Sequence, residues 1–244
     1  MLVIKPYLRE RAVEYAKKYA FSQNPLFGNF RGIGGNCTNF VSQAIYAASC
    51  VMNYTPTFGW YYISLDDRSP SWTGVDYFYD FMTTNEGVGP FAEEIGADGG
   101  EIGDVIQLGR NDDGFYHTLL IVGYDGDDPL VAAQTDDAYA RPLSTYTYDF
   151  SRFLKIKGVR IEIADQPDCF SSVINGSSLS GGGAKTMLFK AKMTAFVCIL
   201  PYTGLVCKNS SSRRKVCSLP SRATVKLSAS QPTLISGVTP SGVG

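Results

Sequence analysis

The sequence predicts an α+β fold for residues 1–163, with helices first and an antiparallel sheet after them. Two observations predict it. Apolar residues recur at helical spacing in three segments before residue 85, and strand-like segments separated by short polar turns follow from residue 103. Helices and strands that are segregated along the chain in this way are typical of the α+β class.

Three helices are predicted, each with an apolar stripe along one face. They cover Leu8–Phe21, Val41–Ala48 and Gly74–Met82. Asn36 is the predicted N-cap of the second helix, because asparagine favours that position. Cys37 then lies at or near the first turn of that helix, directly after a glycine-rich loop.

Four strands are predicted after the helices. The first three are separated by polar turns, which favours an antiparallel meander, and the fourth alternates apolar and polar residues. The predicted strands are Val105–Leu108, His117–Tyr124, Leu130–Gln134 and Lys157–Ile163.

The composition of the 244-residue chain changes near Ala164. Residues 1–163 hold 21 acidic and 13 basic side chains, whereas residues 164–244 hold 2 acidic and 9 basic ones. The second part also contains the Ser/Gly-rich run Ser177–Gly183, which is typical of linkers. We therefore predict a domain of residues 1–163 that is stable by itself, followed by a basic tail of residues 164–244 that is largely disordered.

Several classes of function are disfavoured by composition. The net charge of −1 gives no basic excess for nucleic acid, and a single histidine rules out a three-histidine zinc site within one chain. The six cysteines form no CxxC pair, and the most apolar stretch, Met193–Cys207, is too short to span a membrane. We expect no metal, no cofactor, no nucleic-acid partner and no integral membrane span.

Cys37 and His117 are the candidate catalytic pair. The positive end of a helix favours the thiolate form of a cysteine, and the free backbone N–H groups there can hold an oxyanion. His117 is the one histidine of the chain and opens a predicted strand after a polar loop, where it can act as a general base. Taken singly, each residue has an ordinary alternative: Cys37 as a small buried hydrophobe, and His117 as an exposed loop residue.

A third polar group is expected to orient the imidazole of His117. Gln134 is favoured, because a hairpin brings the end of the following strand back beside the histidine. Asp136 and Asp137, just beyond, are the alternatives.

Aromatic and amide side chains around the pair are candidates for binding substrate. Rings in loops near a cleft can stack on a ligand, although they can equally belong to the core. The candidates are Asn39, Trp60, Tyr61 and Trp72.

Three segments carry a family resemblance. Gly34–Gln43, Gly103–Gln107 and His117–Val122, in this order, resemble the putative amidase domain family, which is related to the papain-like cysteine hydrolases that include the CHAP and NlpC/P60 peptidoglycan hydrolases. The resemblance covers about residues 7–163. It implies a papain-like, NlpC/P60-like fold, in which the helix carrying the cysteine packs on the sheet carrying the histidine.

The resemblance also implies roles for individual residues. Cys37 matches the nucleophile, His117 the base, and Gln134 the position of a third polar residue. Asn36 stands where NlpC/P60 relatives carry an aspartate, so we expect it to cap the helix or to support the oxyanion hole, with Asp136 as a second residue beside the pair.

These inferences together predict a cysteine-dependent amide hydrolase. By resemblance, its substrate is a peptidoglycan peptide or muramoyl-peptide bond. The alternatives are a non-catalytic module that binds cell wall or glycan, and a papain-like protein deamidase or transferase. We expect a monomer that is secreted or bound to the cell wall. No signal peptide is visible in the chain, so a cytoplasmic location stays open. The tail is either a basic anchor for anionic wall polymers or an extension unrelated to the family.

Overall fold

Helices and an antiparallel sheet make up the fold, which a computed structural model describes for residues 1–162 and 168–177. The helices are α1 (Arg9–Tyr19), α2 (Cys37–Ser49), α3 (Pro70–Thr73), α4 (Val75–Thr84) and α5 (Phe170–Asn175). The strands are β1 (Leu2–Lys5), β2 (Gly89–Ile95), β3 (Val105–Arg110), β4 (Gly114–Asp125), β5 (Asp128–Ala133), β6 (Ala138–Pro142) and β7 (Phe150–Glu162). The predicted α+β class is confirmed.

All seven strands belong to one antiparallel sheet. Its order is β1-β7-β3-β4-β5-β6, and β2 also pairs with β7. The predicted meander of β3, β4 and β5 is present. The long strand β7 returns to pair with β3, and the sequence did not predict β1, β2 or β6.

The core has two parts, one on each face of the sheet. Alternation along β4 sends Leu120 to the face that the helices cover, and Leu119 and Ile121 to the opposite face. The segment from Leu143 to Tyr148 packs on that second face. Helix α2 carries no charged residue and is buried along its whole length, which places its first turn against the sheet.

Residues 168–177, which the sequence assigns to the tail, pack against α1 and α2. A disulfide joins Cys169 to Cys50 at the end of α2. The hydroxyl of Tyr19 donates to the carbonyl of Ile174 at 3.0 Å, and the side-chain amide of Asn24 donates to that of Val173 at 2.9 Å. The folded part of the chain thus includes this segment.

The rest of the predicted tail, residues 164–167 and 178–244, lies outside the described residues, and so does the apolar stretch Met193–Cys207. Within the part of the chain that the structure describes, no helix is both long and apolar enough to cross a bilayer.

Candidate active site

Cys37 is the first residue of α2 and is 6% exposed. The preceding loop contains Gly34 and Gly35 with φ of +122° and +97°, in the left-handed region that glycine adopts without strain. The first N–H groups of any helix lack intrahelical acceptors, so the backbone beside the Cys37 thiol has free donors. The Sγ atom lies 3.9 Å from the Thr38 hydroxyl.

A hydrogen bond between two threonines holds the start of α2 against the strand that carries His117. The hydroxyls of Thr38 in α2 and Thr118 in β4 are hydrogen-bonded at 2.9 Å. Cys37 precedes the first threonine and His117 precedes the second, so this buried contact fixes the start of the helix beside the histidine strand.

A β-bulge in β4 lies directly before His117, which lines a cavity. In the β3–β4 ladder Leu108 pairs with His117, but Gly109 pairs with Phe115, so Tyr116 is an extra residue. Successive side chains of a strand normally point to opposite faces, and a bulge breaks this alternation. The rings of Tyr116 and His117 consequently lie nearly parallel, 9° apart in plane, with centroids separated by 6.0 Å.

The imidazole of His117 is neutral near pH 7. The residue is 6% exposed, and its Nε2 has no hydrogen-bond partner among the described residues. Burial lowers the pKa of His117 from 6.5 to about 4. The Asp136 carboxylate opposes this shift, and the Arg141 guanidinium adds to it.

Cys37 and His117 line the same cavity, whose volume is about 370 Å³. No hydrogen bond joins Sγ to the imidazole in the described structure, and in catalytic sites such bonds often tighten only with bound substrate. In residues 1–162 and 168–177 no cluster of His, Cys, Asp or Glu could hold a metal ion. The cavity is lined by Gly34, Gly35, Cys37, Arg110, Tyr116, His117, Thr135, Asp136, Arg141, Thr145, Tyr146 and Thr147.

Gln134 is not placed to orient His117, contrary to the prediction. Its side-chain nitrogen donates to the carbonyls of Tyr19 at 2.6 Å and Ser22 at 3.0 Å, and its oxygen accepts from Asn36. The cause is the register of β5 against β4. Ala132 pairs with Leu120, so Gln134 lies opposite Thr118 and not opposite His117. Thr118 faces the helices, and Gln134 shares that side of the sheet.

Asp136 fits the third role better than Gln134. It lines the cavity and is the charge that favours the imidazolium form of His117. Its carboxylate is also paired with Arg141 at 2.7 Å. Asp137, the other alternative, is paired with Arg31 instead.

Asn36 precedes α2 as predicted, but its side chain does not cap the helix. The oxygen accepts from the backbone N–H of Phe30 at 3.0 Å and from the amide of Asn39 at 2.8 Å, while the nitrogen donates to Gln134. Because the amide oxygen and nitrogen are both engaged and the residue is 0% exposed, this side chain holds the glycine loop inside the core. The backbone N–H of Asn36 donates to the Thr135 hydroxyl.

The substrate-binding role predicted for Asn39, Trp60 and Trp72 is contradicted by their burial. All three are 0% exposed, and the indole nitrogen of Trp72 donates to Asn39 at 2.8 Å. The indole nitrogen of Trp60 donates to Ser42 at 3.1 Å. Tyr61 is half-buried and is not among the residues that line the cavity. These side chains support α2 from the core.

Most residues of the cavity wall are not predicted by the sequence. Tyr116 could have been found, because it adjoins His117. Arg110, Arg141 and Tyr146 carry no sequence signal, because the fold alone brings them to the cavity: Arg110 ends β3, Arg141 lies in β6, and Tyr146 follows the short helix Leu143–Thr145. Thr135 has a positive φ of 86°, which is strained for a β-branched residue and has no signature in the sequence.

Comparisons with known proteins assign the chain to a family. Residues 6–156 match the sequence model of the putative amidase domain family. The chain is 37% identical over 140 residues to the uncharacterized protein YhbB of Bacillus subtilis (strain 168). That alignment covers 55% of this chain and 43% of YhbB, so the chain spans less than half of its relative. No solved structure matches the chain. The family match includes more than half of the residues of this chain, and the chain therefore belongs to the putative amidase domain family.

Proposed function

We propose that the chain hydrolyses amide bonds with Cys37 as nucleophile and His117 as general base. One observation carries this proposal: the thiol, at the start of a helix, and an imidazole with an unpartnered nitrogen line one cavity. Amide hydrolysis is also the activity that the family description names.

The resting pair in this proposal is a neutral thiol and a neutral imidazole. As Sγ attacks the carbonyl carbon, its proton passes to a ring nitrogen of His117. The negative charge that forms on the carbonyl oxygen is held by backbone N–H groups at the start of α2, with that of Cys37 the nearest. The tetrahedral intermediate collapses to a thioester, and the imidazolium returns its proton to the leaving amine.

Hydrolysis of the thioester repeats these steps with water. His117 takes a proton from the water as the water oxygen attacks the thioester carbon, and then gives a proton back to the departing sulfur. The carboxylic acid leaves, and thiol and imidazole are both neutral again. Asp136 supports each step in which the imidazole carries a positive charge, since its carboxylate favours that form.

The proposed substrate is a peptidoglycan peptide or muramoyl-peptide bond, which the resemblance to the CHAP and NlpC/P60 hydrolases implies. The proposed place of action is outside the cytosol. The Cys50–Cys169 disulfide supports this location, because disulfides persist in oxidising compartments and are rare in the cytosol.

The test is release of soluble fragments from purified peptidoglycan, analysed by mass spectrometry. The wild type is compared with Cys37→Ser, which keeps size and polarity, and with His117→Gln, which is neutral and similar in volume. We expect new amine and carboxyl ends from the wild type, and release reduced by about 100-fold or more in each variant.

Two controls separate the other outcomes. Asp98→Asn changes an exposed carboxylate outside the cavity and is expected to release fragments at the wild-type rate. Binding of peptidoglycan without release, together with a Cys37 that iodoacetamide does not alkylate, would contradict the hydrolase and favour a binding module. A reactive Cys37 that releases no fragments would overturn the proposed substrate alone.

A further inference from the structure

The cavity contains two arginines in different electrostatic situations. Arg141 is neutralised by Asp136 at 2.7 Å, whereas Arg110 forms no ion pair with any described residue. With His117 neutral, the cavity therefore carries one uncompensated positive charge. This is notable because residues 1–163 carry an acidic excess of eight.

The ring of Tyr116 lies between Arg110 and the imidazole of His117. It is the last residue of β3, and its guanidinium carbon lies 4.7 Å from the centre of the Tyr116 ring. That ring is stacked beside His117 and is fixed at its far end, where its hydroxyl donates to the carbonyl of Thr147 at 3.0 Å. The guanidinium is therefore seated on a supported ring at the cavity wall, and its N–H donors are unused among the described residues.

We infer that Arg110 binds a carboxylate of the substrate close to the amide that is cleaved. The inference rests on the proposed function, since it assigns the substrate class of the Cys37 site. A guanidinium binds a carboxylate through two parallel charge-assisted hydrogen bonds, a geometry that a neutral amide does not match. The preferred substrates are amides that carry a free carboxylate, such as peptides with an acidic residue or a free carboxyl terminus.

The specificity follows from charge-assisted hydrogen bonding. Arg110 is exposed at the end of β3, so a neutral group in the carboxylate position leaves its donors to water and gains none of this bonding. Asp136 does not compete for Arg110, because its carboxylate is held by Arg141.

The test measures alkylation of Cys37 and needs no knowledge of the natural substrate. Three acids place a carboxylate at increasing distance from the reactive carbon: iodoacetate, N-iodoacetylglycine and N-iodoacetyl-β-alanine. Each is paired with its uncharged carboxamide. In every case Sγ forms a bond to the carbon that bears iodine, iodide leaves, and the thiol proton passes to His117. Rates are followed by mass spectrometry of the Cys37 peptide of the full chain, with glutathione as the reference thiol.

We expect at least one acid to outpace its carboxamide, relative to glutathione, by about 10-fold. Arg110→Gln abolishes this preference and leaves the carboxamide rates within about 2-fold of the wild type. Arg110→Lys keeps part of it, because the charge remains and the paired donors are lost. Arg11→Gln is the control outside the cavity: Arg11 also packs on an aromatic ring, that of Phe170, and its charge is paired with Asp168.

Each remaining outcome has one meaning. Equal preference in the wild type and in Arg110→Gln, with Cys37 reactive in both, overturns the role of Arg110 and leaves the proposed hydrolase intact. A Cys37 that reacts with none of the six reagents overturns the proposed function, and this inference with it. Acids and carboxamides slowed equally in Arg110→Gln would show that Arg110 supports only the Tyr116 ring, which contradicts carboxylate binding.

Discussion

The protonation state of His117 sets the pH range in which Cys37 can react. A general base works in its neutral form, and burial lowers the pKa of His117 to about 4. We therefore expect kcat/KM for amide hydrolysis to rise with pH through about 4, rather than through the ordinary value of 6.5. The measurement is a pH–rate profile on the released peptidoglycan peptide.

Two charged side chains act on the pKa of His117 in opposite directions, so their removal should shift the pH–rate profile in opposite directions. Asp136→Asn removes the carboxylate that favours the imidazolium, so the acid limb moves to lower pH. Arg141→Gln removes the opposing cation, so the limb moves to higher pH. Acid limbs that stay near pH 6.5 in all three proteins would contradict the assignment of His117 as a buried base.

The free energy of unfolding is expected to depend on pH through the same histidine. Because the folded pKa of about 4 lies below the unfolded value of 6.5, the unfolded chain takes up a proton first as the pH falls. The free energy of unfolding should therefore decrease by about 3 kcal/mol between pH 6.5 and pH 4 on account of this residue. Urea unfolding of His117→Gln across that range should lack this part of the decrease, and an unchanged pH dependence would be the contrary result.

Asp104 is a buried carboxylate whose role is structural. It is 1% exposed and accepts from Arg9 at 2.6 Å and from the backbone N–H groups of Ile156 and Glu101, each at 2.9 Å. Asp104→Asn removes the buried counter-charge of Arg9, which keeps Glu101 at 3.5 Å, so we expect a loss of about 2 kcal/mol in the free energy of unfolding. Denaturant unfolding measures it, and the exposed Asp98→Asn should change stability by less than about 0.5 kcal/mol.

The roles of some site residues could be predicted from the sequence, and those of others could not. Cys37 and His117 could be named from residue type and position, and both line one cavity; their catalytic roles stay predictions. Gln134 and Asn36 could not be assigned, because a side-chain amide can serve a catalytic site or a buried network equally well. A shift of one residue in the pairing of β5 with β4 decides whether Gln134 faces the histidine or the buried network. The turn residues of the sequence do not fix strand pairing to one residue.

At the scale of elements, the β4 bulge links the base to its neighbouring ring. Deleting Tyr116 removes the extra residue, so His117 keeps its partner Leu108 while the ladder becomes regular. We expect the chain to fold and Cys37 to react with iodoacetamide, but the preference for carboxylate reagents to disappear because Arg110 loses its supporting ring. Alkylation rates and circular dichroism check this.

Tyr116→Phe is the control for that deletion. It keeps the bulge and the ring and removes only the hydroxyl that donates to Thr147, so a smaller loss of carboxylate preference is expected. A deletion variant that retains the full preference would contradict the role of the bulge.

The strands β1, β2 and β6 were not predicted, and their sequences show why. The segment of β1 is only four residues long and shows no alternation. β2 contains Pro90 and two adjacent glutamates, and β6 ends at Pro142, whereas proline and charged residues are typical of turns. Each becomes a strand because a neighbour pairs with it: β7 with the first two, and β5 with the third.

For the whole molecule, the boundary of the folded part is open to direct test. A fragment ending at Ile163 lacks Cys169 and the contacts of α5, while one ending at Ser177 keeps them. The disulfide closes a loop with a sequence separation of 119, which restricts the unfolded chain. We expect the shorter fragment to be less stable by about 2–4 kcal/mol under oxidising conditions, measured by denaturant unfolding.

Cys169→Ser in the longer fragment should reproduce most of this loss. Equal unfolding midpoints for both fragments would show that the domain predicted from the sequence, residues 1–163, needs nothing beyond its own boundary.

Both tryptophans of the chain are built into the support of α2. Their rings lie 4.8 Å apart, and their indole nitrogens donate to Asn39 and Ser42, within the first two turns after Cys37. Intrinsic fluorescence of this protein is consequently a local reporter. Excitation of the indoles should register chemistry at the nucleophile without any attached dye, so occupancy of the site can be followed in real time in the unmodified chain.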